Sequence, residues 1–464
     1  MRATVLAPLI LLGWYLLAIG QSPAPSPGGQ PSLKAQSPTA AENELKLVVA
    51  LFRHGVRAPL PGFAPPMADK YSGQGWPTIA EWNVPPDRSW GDLTTRGRVL
   101  ATALGSYYAD WYRKKNAWPE GFKVYLWADT DQRTVDTADA LAQGFEQSRI
   151  PKQDVTVRCL STNLAAKNVD PLFHPFQAGC GTPDQNTLAT TVAKIEKGRK
   201  QAAQKLKSSF EDLYGDANRR SPGAECLMRY LHFPGEHAPS VQAVTLSTTS
   251  LSGLQGGALQ SRTGIREQHG AEPPGQFPYA SSASEAFLQG SNLIREIRDL
   301  LRRTAETVEP IDFNCLRADK ASQFVGLVGH DTNIAGVGEL LQLSWQFADA
   351  HLPPGEHLPP DTSNLPRNDA LPAGALVFEL RQRAGKYFIR IEYVAQSLLQ
   401  MRGDPKRPPE APFRFNINCR DERGANLYPC EMSLDKFNQV VAKALGPDNP
   451  FLSRCSGDGN PVCP

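Results

Sequence analysis

Arg53, His54 and Arg57 follow directly on the apolar run Leu47-Val-Val-Ala-Leu-Phe52. Far along the chain, Phe324-Val-Gly-Leu-Val-Gly329 runs into His330-Asp331. A third apolar run, Val124-Tyr-Leu-Trp-Ala128, ends in Asp129-Thr-Asp131-Gln-Arg133-Thr134. Guanidiniums match the oxygens of a phosphoryl group and stabilise the negative charge that spreads over it during transfer. An imidazole among guanidiniums resists protonation, because like charge disfavours its cationic form, so it keeps a lone pair in mild acid. Such an imidazole is a nucleophile able to form a phosphohistidine, dividing one hard step into two. His330 offers a further phosphate ligand, and Asp331 a carboxyl group that can protonate a leaving alkoxide. Gly55 allows the backbone to come close to a ligand. The candidate catalytic pair is therefore His54 and Asp331. The candidate phosphate ligands are Arg53, Arg57, Arg133 and His330.

Three strands must deliver these clusters to one place. Each run is apolar throughout, the pattern of a strand buried on both faces in a parallel sheet. Ligands of open α/β sheets bind beyond the carboxyl ends of the strands, so neighbouring strands would give the clusters one crevice. Between the first two runs, Val99, Leu100, Leu104, Tyr107, Tyr108 and Trp111 form a helical stripe, with Thr94 or Thr95 as its N-cap. Residues 135–145 read as a second helix. Strand, helix, strand, helix predicts an α/β fold: a mostly parallel sheet with flanking helices. The middle of the chain differs. Residues 187–213 are helical and lysine-rich, residues 251–278 are a Gly/Gln/Ser/Pro-rich loop, and residues 284–308 carry apolar residues at helical spacing. Later strands are expected at 375–380 and 388–394, after a proline-rich loop at 351–372. The predicted division is a signal peptide at 1–20, a disordered linker at 21–43, an α/β domain at 44–165 and 311–464, and a smaller α-rich inserted domain at 166–310.

The whole chain narrows the function further. Its 464 residues, 41% hydrophobic and 21% charged, suit a globular protein with room for a large core. A net charge of +2 leaves no electrostatic footprint for nucleic acid. The expected partner is a small-molecule phosphate monoester. Arg2, the apolar stretch 5–19 and Ala18-Ile19-Gly20 have the form of a cleavable secretory signal. The stretch is short for a span of about 20 residues, so no stable membrane association is expected after cleavage. A periplasmic or secreted location follows. The cysteine count of 8 is even, which behind an export signal favours disulfides. Cys419 and Cys430 are near enough in sequence to staple a loop. There is no Cys-x-x-Cys pair, and His174, His232, His237, His269, His351 and His357 are not spaced as a metal set. No metal and no cofactor are expected. The lysines of 194–207 read as a solvated helix face, and Trp76 and Trp82 as packing residues.

Two other functions fit part of the pattern. Asp129-Thr-Asp131 after a strand is similar to the aspartate nucleophile of magnesium-dependent phosphatases, but Arg133 stands where a threonine belongs. A non-catalytic phosphate- or sugar-phosphate-binding protein could use the same cradle, but binding alone needs neither His54 nor Asp331.

Arg53-His-Gly-Val-Arg-Ala-Pro59 resembles the signature of the histidine acid phosphatases, and Gly329-His-Asp-Thr-Asn333 their second motif. Ala128-Asp-Thr-Asp-Gln-Arg-Thr134 is similar to the segment carrying the family's third phosphate arginine. Asp170-Pro-Leu-Phe173, Leu93-Thr-Thr-Arg-Gly97 and the stretch 394–402 add supporting matches. The resemblance covers 47–177 and 323–440. It is nearest to the bacterial periplasmic branch, which contains phytases and glucose-1-phosphate phosphatases. It implies an α/β domain with a smaller, mostly helical domain over the pocket. It also implies His54 as nucleophile, Asp331 as proton donor, and Arg53, Arg57, Arg133 and His330 as phosphate ligands. The substrate would be phytate or a sugar phosphate. Two departures bear on that choice. Leu60-Pro61 replaces the Thr-Lys of many bacterial phytases, removing a lysine that helps hold a highly phosphorylated substrate. Residues 187–278, which would line the outer pocket, match poorly.

Overall fold

A computed structural model describes residues 44–58, 84–114, 122–159, 169–175, 283–306, 322–345, 370–396 and 411–446, with Trp118, Asn368, Gln400 and Met401. The chain enters on β1 (Glu44–Arg53), whose apolar run is buried from Leu47 to Arg53. Helix α1 (Thr95–Lys114) follows. Thr94 is its cap: the Thr94 hydroxyl accepts from the Gly97 amide at 3.0 Å. Strand β2 (Lys123–Ala128) leads into α2 (Gln132–Gln147), and β3 (Val155–Cys159) pairs with β2 in parallel. Helix α3 (Ala283–Glu306) precedes β4 (Ser322–Gly329), which runs into α4 (Asp331–Leu340). The long strands β5 (Ala375–Arg383) and β6 (Lys386–Ala395) form a hairpin. Short strands β7 (Phe413–Asn416), β8 (Cys419–Arg420), β9 (Asn426–Leu427) and β10 (Glu431–Ser433) come next, then α5 (Leu434–Leu445).

The main sheet has the order β10-β6-β5-β1-β4-β2-β3, with β7 also paired to β6. Strands β1 to β4 and β6 run one way, and β5, β7 and β10 the other. The fold is α/β as expected. Its parallel half is the one built from the three sequence clusters. The antiparallel half arises because a two-residue turn, Ala384-Gly385, reverses the chain between β5 and β6 with both residues at positive φ.

Side chains alternate across β1. Leu47, Val49 and Leu51 face one core with Leu293, Ile294, Ile297 and Leu301 of α3, Ile334 and Val337 of α4, and Phe437 of α5. Val48, Ala50 and Phe52 face the other with Leu104 and Tyr108 of α1 and Leu141 and Phe145 of α2. Each large apolar side chain so buried contributes about 1.5–3 kcal/mol. Helices α1 and α2 meet at Gly105 and Gly144, where a side chain on either would collide with the other's backbone. Helix α3 falls within the 166–310 stretch assigned by sequence to the inserted domain, yet it packs on the sheet against α4. The rest of that stretch, apart from residues 169–175, lies outside the described residues, as do the signal, the linker, Leu60-Pro61, Trp76 and Trp82.

Candidate active site

The register of the parallel half puts the three clusters side by side. Strand β4 lies between β1 and β2, with Arg53 opposite Gly329 and Ala128 opposite Val328. The amide of His54 donates to Gly329 O at 2.8 Å, and that of Asp129 to Val328 O at 3.0 Å. The strand ends are thus tied together just as the chain leaves the sheet. Helices α2 and α4 both begin there, so their free amides and positive dipole ends add to the arginines. At α4 the His330 amide donates to Asn333 Oδ1 at 2.8 Å, and the Asn333 amide to His330 O at 3.2 Å. Asn333 also donates to Phe173 O at 2.8 Å, which anchors the segment carrying His174.

Arg53, His54, Arg57, His330 and Asp331 are all buried. Nδ1 of His54 lies 2.8 Å from the Gly55 carbonyl. A carbonyl only accepts, so Nδ1 carries the proton and Nε2 keeps the lone pair. Burial lowers the His54 pKa well below the usual histidine value, and Arg133, Arg53 and Arg57 lower it further. Both effects favour the neutral imidazole. Nη1 of Arg57 donates to Ala58 O at 2.7 Å, and Nη1 of Arg53 donates to Ala370 O. Among the described residues, Nε and Nη2 of both arginines make no hydrogen bond. Burial, with Arg133 and Arg53 nearby, also depresses the pKa of Arg57. Buried donors without acceptors are costly unless an anion arrives to take them.

Carboxylates brace the site. Asp331 Oδ2 is 3.7 Å from Arg53 Nη2, and its Oδ1 accepts from the Thr332 amide at 2.9 Å. Asp131 Oδ2 holds Arg133 Nη2 at 2.5 Å. Asp129 Oδ2 accepts from Nε2 of both His330 and His174 at 2.8 Å. Burial pushes the Asp129 carboxyl up, but the two histidine hydrogen bonds override it and hold the group well below the usual carboxylate range. Burial and Arg133 lower His330, against the pull of Asp129. The ring of His330 stands edge-on to that of His54, with centroids 5.5 Å apart.

All six residues singled out in the sequence are brought to this crevice. Two readings change. Gly55 is small because a Cβ there would sit 2.9 Å from Leu93 Cδ1 and 3.3 Å from Gly97 O, so its close approach is to the start of α1. Its amide donates to Thr137 Oγ1 at 2.9 Å. His174 was set aside as lacking ligand spacing, yet the fold brings it to Asp129 and His330. The signal was its place one residue after Asp170-Pro-Leu-Phe173. Asp170 fixes that turn, accepting from the Trp127 indole and the Leu172 amide, each at 2.8 Å.

A family model described as the histidine phosphatase superfamily (branch 2) matches residues 44–394. The chain belongs to this family. The histidine phosphatase is 28% identical over 456 residues to phytase AppA of Escherichia coli (strain K12), covering 88% of this chain and 94% of that one. It is 27% identical over 442 residues to a glucose-1-phosphatase of Salmonella typhimurium (strain LT2), covering 89% and 96%. Its fold is similar to that of Hafnia alvei phytase in complex with tartrate, at TM-score 0.53 and 22% identity, covering 88% and 98%. The histidine phosphatase is a phosphoric monoester hydrolase. Among its described residues no helix is long and apolar enough to cross a membrane. Cys419 and Cys430 form a disulfide that closes the loop expected from their spacing.

Proposed function

We propose that the enzyme hydrolyses its ester by double displacement at phosphorus, with His54 as nucleophile and Asp331 as acid. The observation that carries this is the His54 tautomer: Nδ1 is committed to Gly55 O, leaving the Nε2 lone pair near arginine nitrogens that make no hydrogen bond among the described residues. In the first step Nε2 bonds to phosphorus and the ester P–O bond breaks. The leaving alkoxide takes the proton of the Asp331 carboxyl. In the second step the Asp331 carboxylate accepts a proton from water, the hydroxyl bonds to phosphorus, and the N–P bond breaks to release phosphate. Arg53, Arg57 and Arg133 donate to the phosphoryl oxygens throughout, and His330 joins them as an imidazolium once the phosphate's charge is present, with Nε2–H kept on Asp129 and Nδ1–H on the phosphoryl group. Asp129 is a poor alternative nucleophile, because its Oδ2 is occupied by two imidazoles.

Glucose 1-phosphate and phytate are the substrates to compare, from the names of the relatives. Leu60-Pro61 supplies no lysine for a highly phosphorylated ring, which favours the ester with fewer phosphates. The signal-like N-terminus and the disulfide support export to the periplasm or beyond.

Asp331→Asn tests the acid. Turnover of an alkyl phosphate should fall about 100-fold more than that of p-nitrophenyl phosphate, whose leaving group is a stable anion without a proton. Equal losses on the two esters would mean that Asp331 positions Arg53 and is not the acid.

A further inference from the structure

Asp129 and His174 form, together with the phosphate ligand His330, a cluster whose histidine pair phosphate binding alone does not require. Their ligand atoms all lie within 4.8 Å of one another, and Asp129 Oδ2 is 2.8 Å from each Nε2. We propose that this cluster is a binding site for a zinc-type divalent cation, and that its occupation inhibits the phosphatase.

Two imidazole nitrogens and one carboxylate oxygen are a zinc donor set, leaving a fourth position open. The set does not suit magnesium, which takes oxygen ligands in near-octahedral geometry. The three residues come from different segments: the end of β2, the 169–175 turn and the cap of α4. Hydrogen bonds to a single oxygen already aim all three donors at one point. Ligand bonds of about 2.0–2.1 Å require those contacts to open by roughly half an ångström.

Each neutral histidine now carries its proton on Nε2, because that atom donates to Asp129. A cation at Nε2 moves the proton to Nδ1. At His174 this breaks no hydrogen bond among the described residues, since Nδ1 is a buried atom with no partner there. At His330 the shift has a consequence. Its Nδ1 lies 3.5 Å from Arg133 Nη2. Once protonated, with no phosphoryl oxygen between them to accept from both, it sets one donor against another and pushes Arg133 out of the phosphate cradle. The cation's own charge acts in the same direction. The inhibition therefore rests on the proposed role of Arg133, whereas the binding does not.

The test uses the full-length, metal-free enzyme at about pH 7, where protons compete little for imidazole. Cobalt(II) should bind in one saturating step with the visible d–d absorption of a low-symmetry nitrogen-and-oxygen site, and zinc should displace it. Zinc should inhibit hydrolysis of p-nitrophenyl phosphate reversibly, and magnesium should not. His174→Asn keeps an amide that can donate to Asp129. It should bind zinc at least about 10-fold more weakly and, measured against its own metal-free rate, need correspondingly more zinc for half-inhibition. X-ray absorption of the zinc-loaded wild type, which does not depend on how the variant folds, should show two imidazoles and oxygen. Equal zinc affinity in wild type and variant, or a zinc shell without two imidazoles, would overturn the site. Zinc bound there with turnover unchanged would overturn the inhibition. A metal-free enzyme without turnover would count against the phosphatase mechanism and leave the cobalt titration to judge the site.

Discussion

Arg57, just beyond the end of β1, and Arg414, on β7, are two arginines shut away from water, and their charges are balanced in opposite ways. Arg57 is fully buried, and beyond its bond to Ala58 O its Nε and Nη2 have no hydrogen-bond partner among the described residues. Arg414, on β7, has 10% of its side chain exposed. It donates to Glu379 on β5 at 3.0 Å and to Glu392 on β6, and its guanidinium lies 4.6 Å from the centre of the Trp111 ring. Burial and neighbouring arginines depress the pKa of Arg57. At Arg414 burial acts downwards too, but Tyr112, Glu392 and Glu379 raise the pKa well above the usual value. One arginine is neutralised by its own fold. The other has no hydrogen-bonded carboxylate among the described residues. Burial of a charged group therefore marks a site only when its partners are missing.

Volume-conserving substitutions separate the two. Arg57→Met should lower kcat/KM on p-nitrophenyl phosphate by about 100-fold, the value of a charge-assisted hydrogen bond to the phosphoryl group. Its denaturant midpoint should correspond to a stability within about 1 kcal/mol of wild type, because a poorly compensated buried charge is removed. Arg414→Met should do the reverse. It strands Glu379 and Glu392, and should cost about 3 kcal/mol of stability while the folded fraction keeps its specific activity. Equal destabilisation by the two substitutions would erase the distinction.

The smallest effect concerns pH. His54 must be neutral to attack, and burial with three arginines lowers its pKa. The acid limb of kcat/KM should then lie below pH 6.5, the reference value of a free histidine. Removing one positive neighbour raises the pKa, so Arg57→Met should move that limb upwards, whereas Arg414→Met should leave it in place. A wild-type limb at or above the reference value would contradict the electrostatic account of His54.

Much of this site was legible because it is built at the ends of strands buried on both faces. Runs such as 47–52 and 324–329 are continuous and apolar, and each stops abruptly at charged residues, so strand and cluster announce each other. Their adjacency had to be assumed, and the pairing of β4 between β1 and β2 supplies it. In the antiparallel half the long strands β5 and β6 were legible at 375–380 and 388–394, but the short β7 and β10 were not. Strands β8 and β9, which pair as a separate two-stranded sheet, are two residues each, too short for any period. Helix α3 showed its apolar stripe but not its destination, because a stripe fits any apolar partner. His174 was invisible for another reason. Its partner Asp129 is 45 residues away and its second neighbour lies across the sheet, so no local spacing connects them.

The central claim is that His54 becomes phosphorylated through Nε2. Rapid acid-free quenching of wild-type enzyme with a radiolabelled ester, followed by peptide mapping, tests it most directly. The account predicts a burst approaching one equivalent of label per active enzyme, stable to alkali, labile to acid and carried by the peptide containing His54, with no label in His54→Ala. Label on Asp129, or full turnover in a folded His54→Ala enzyme, would contradict it.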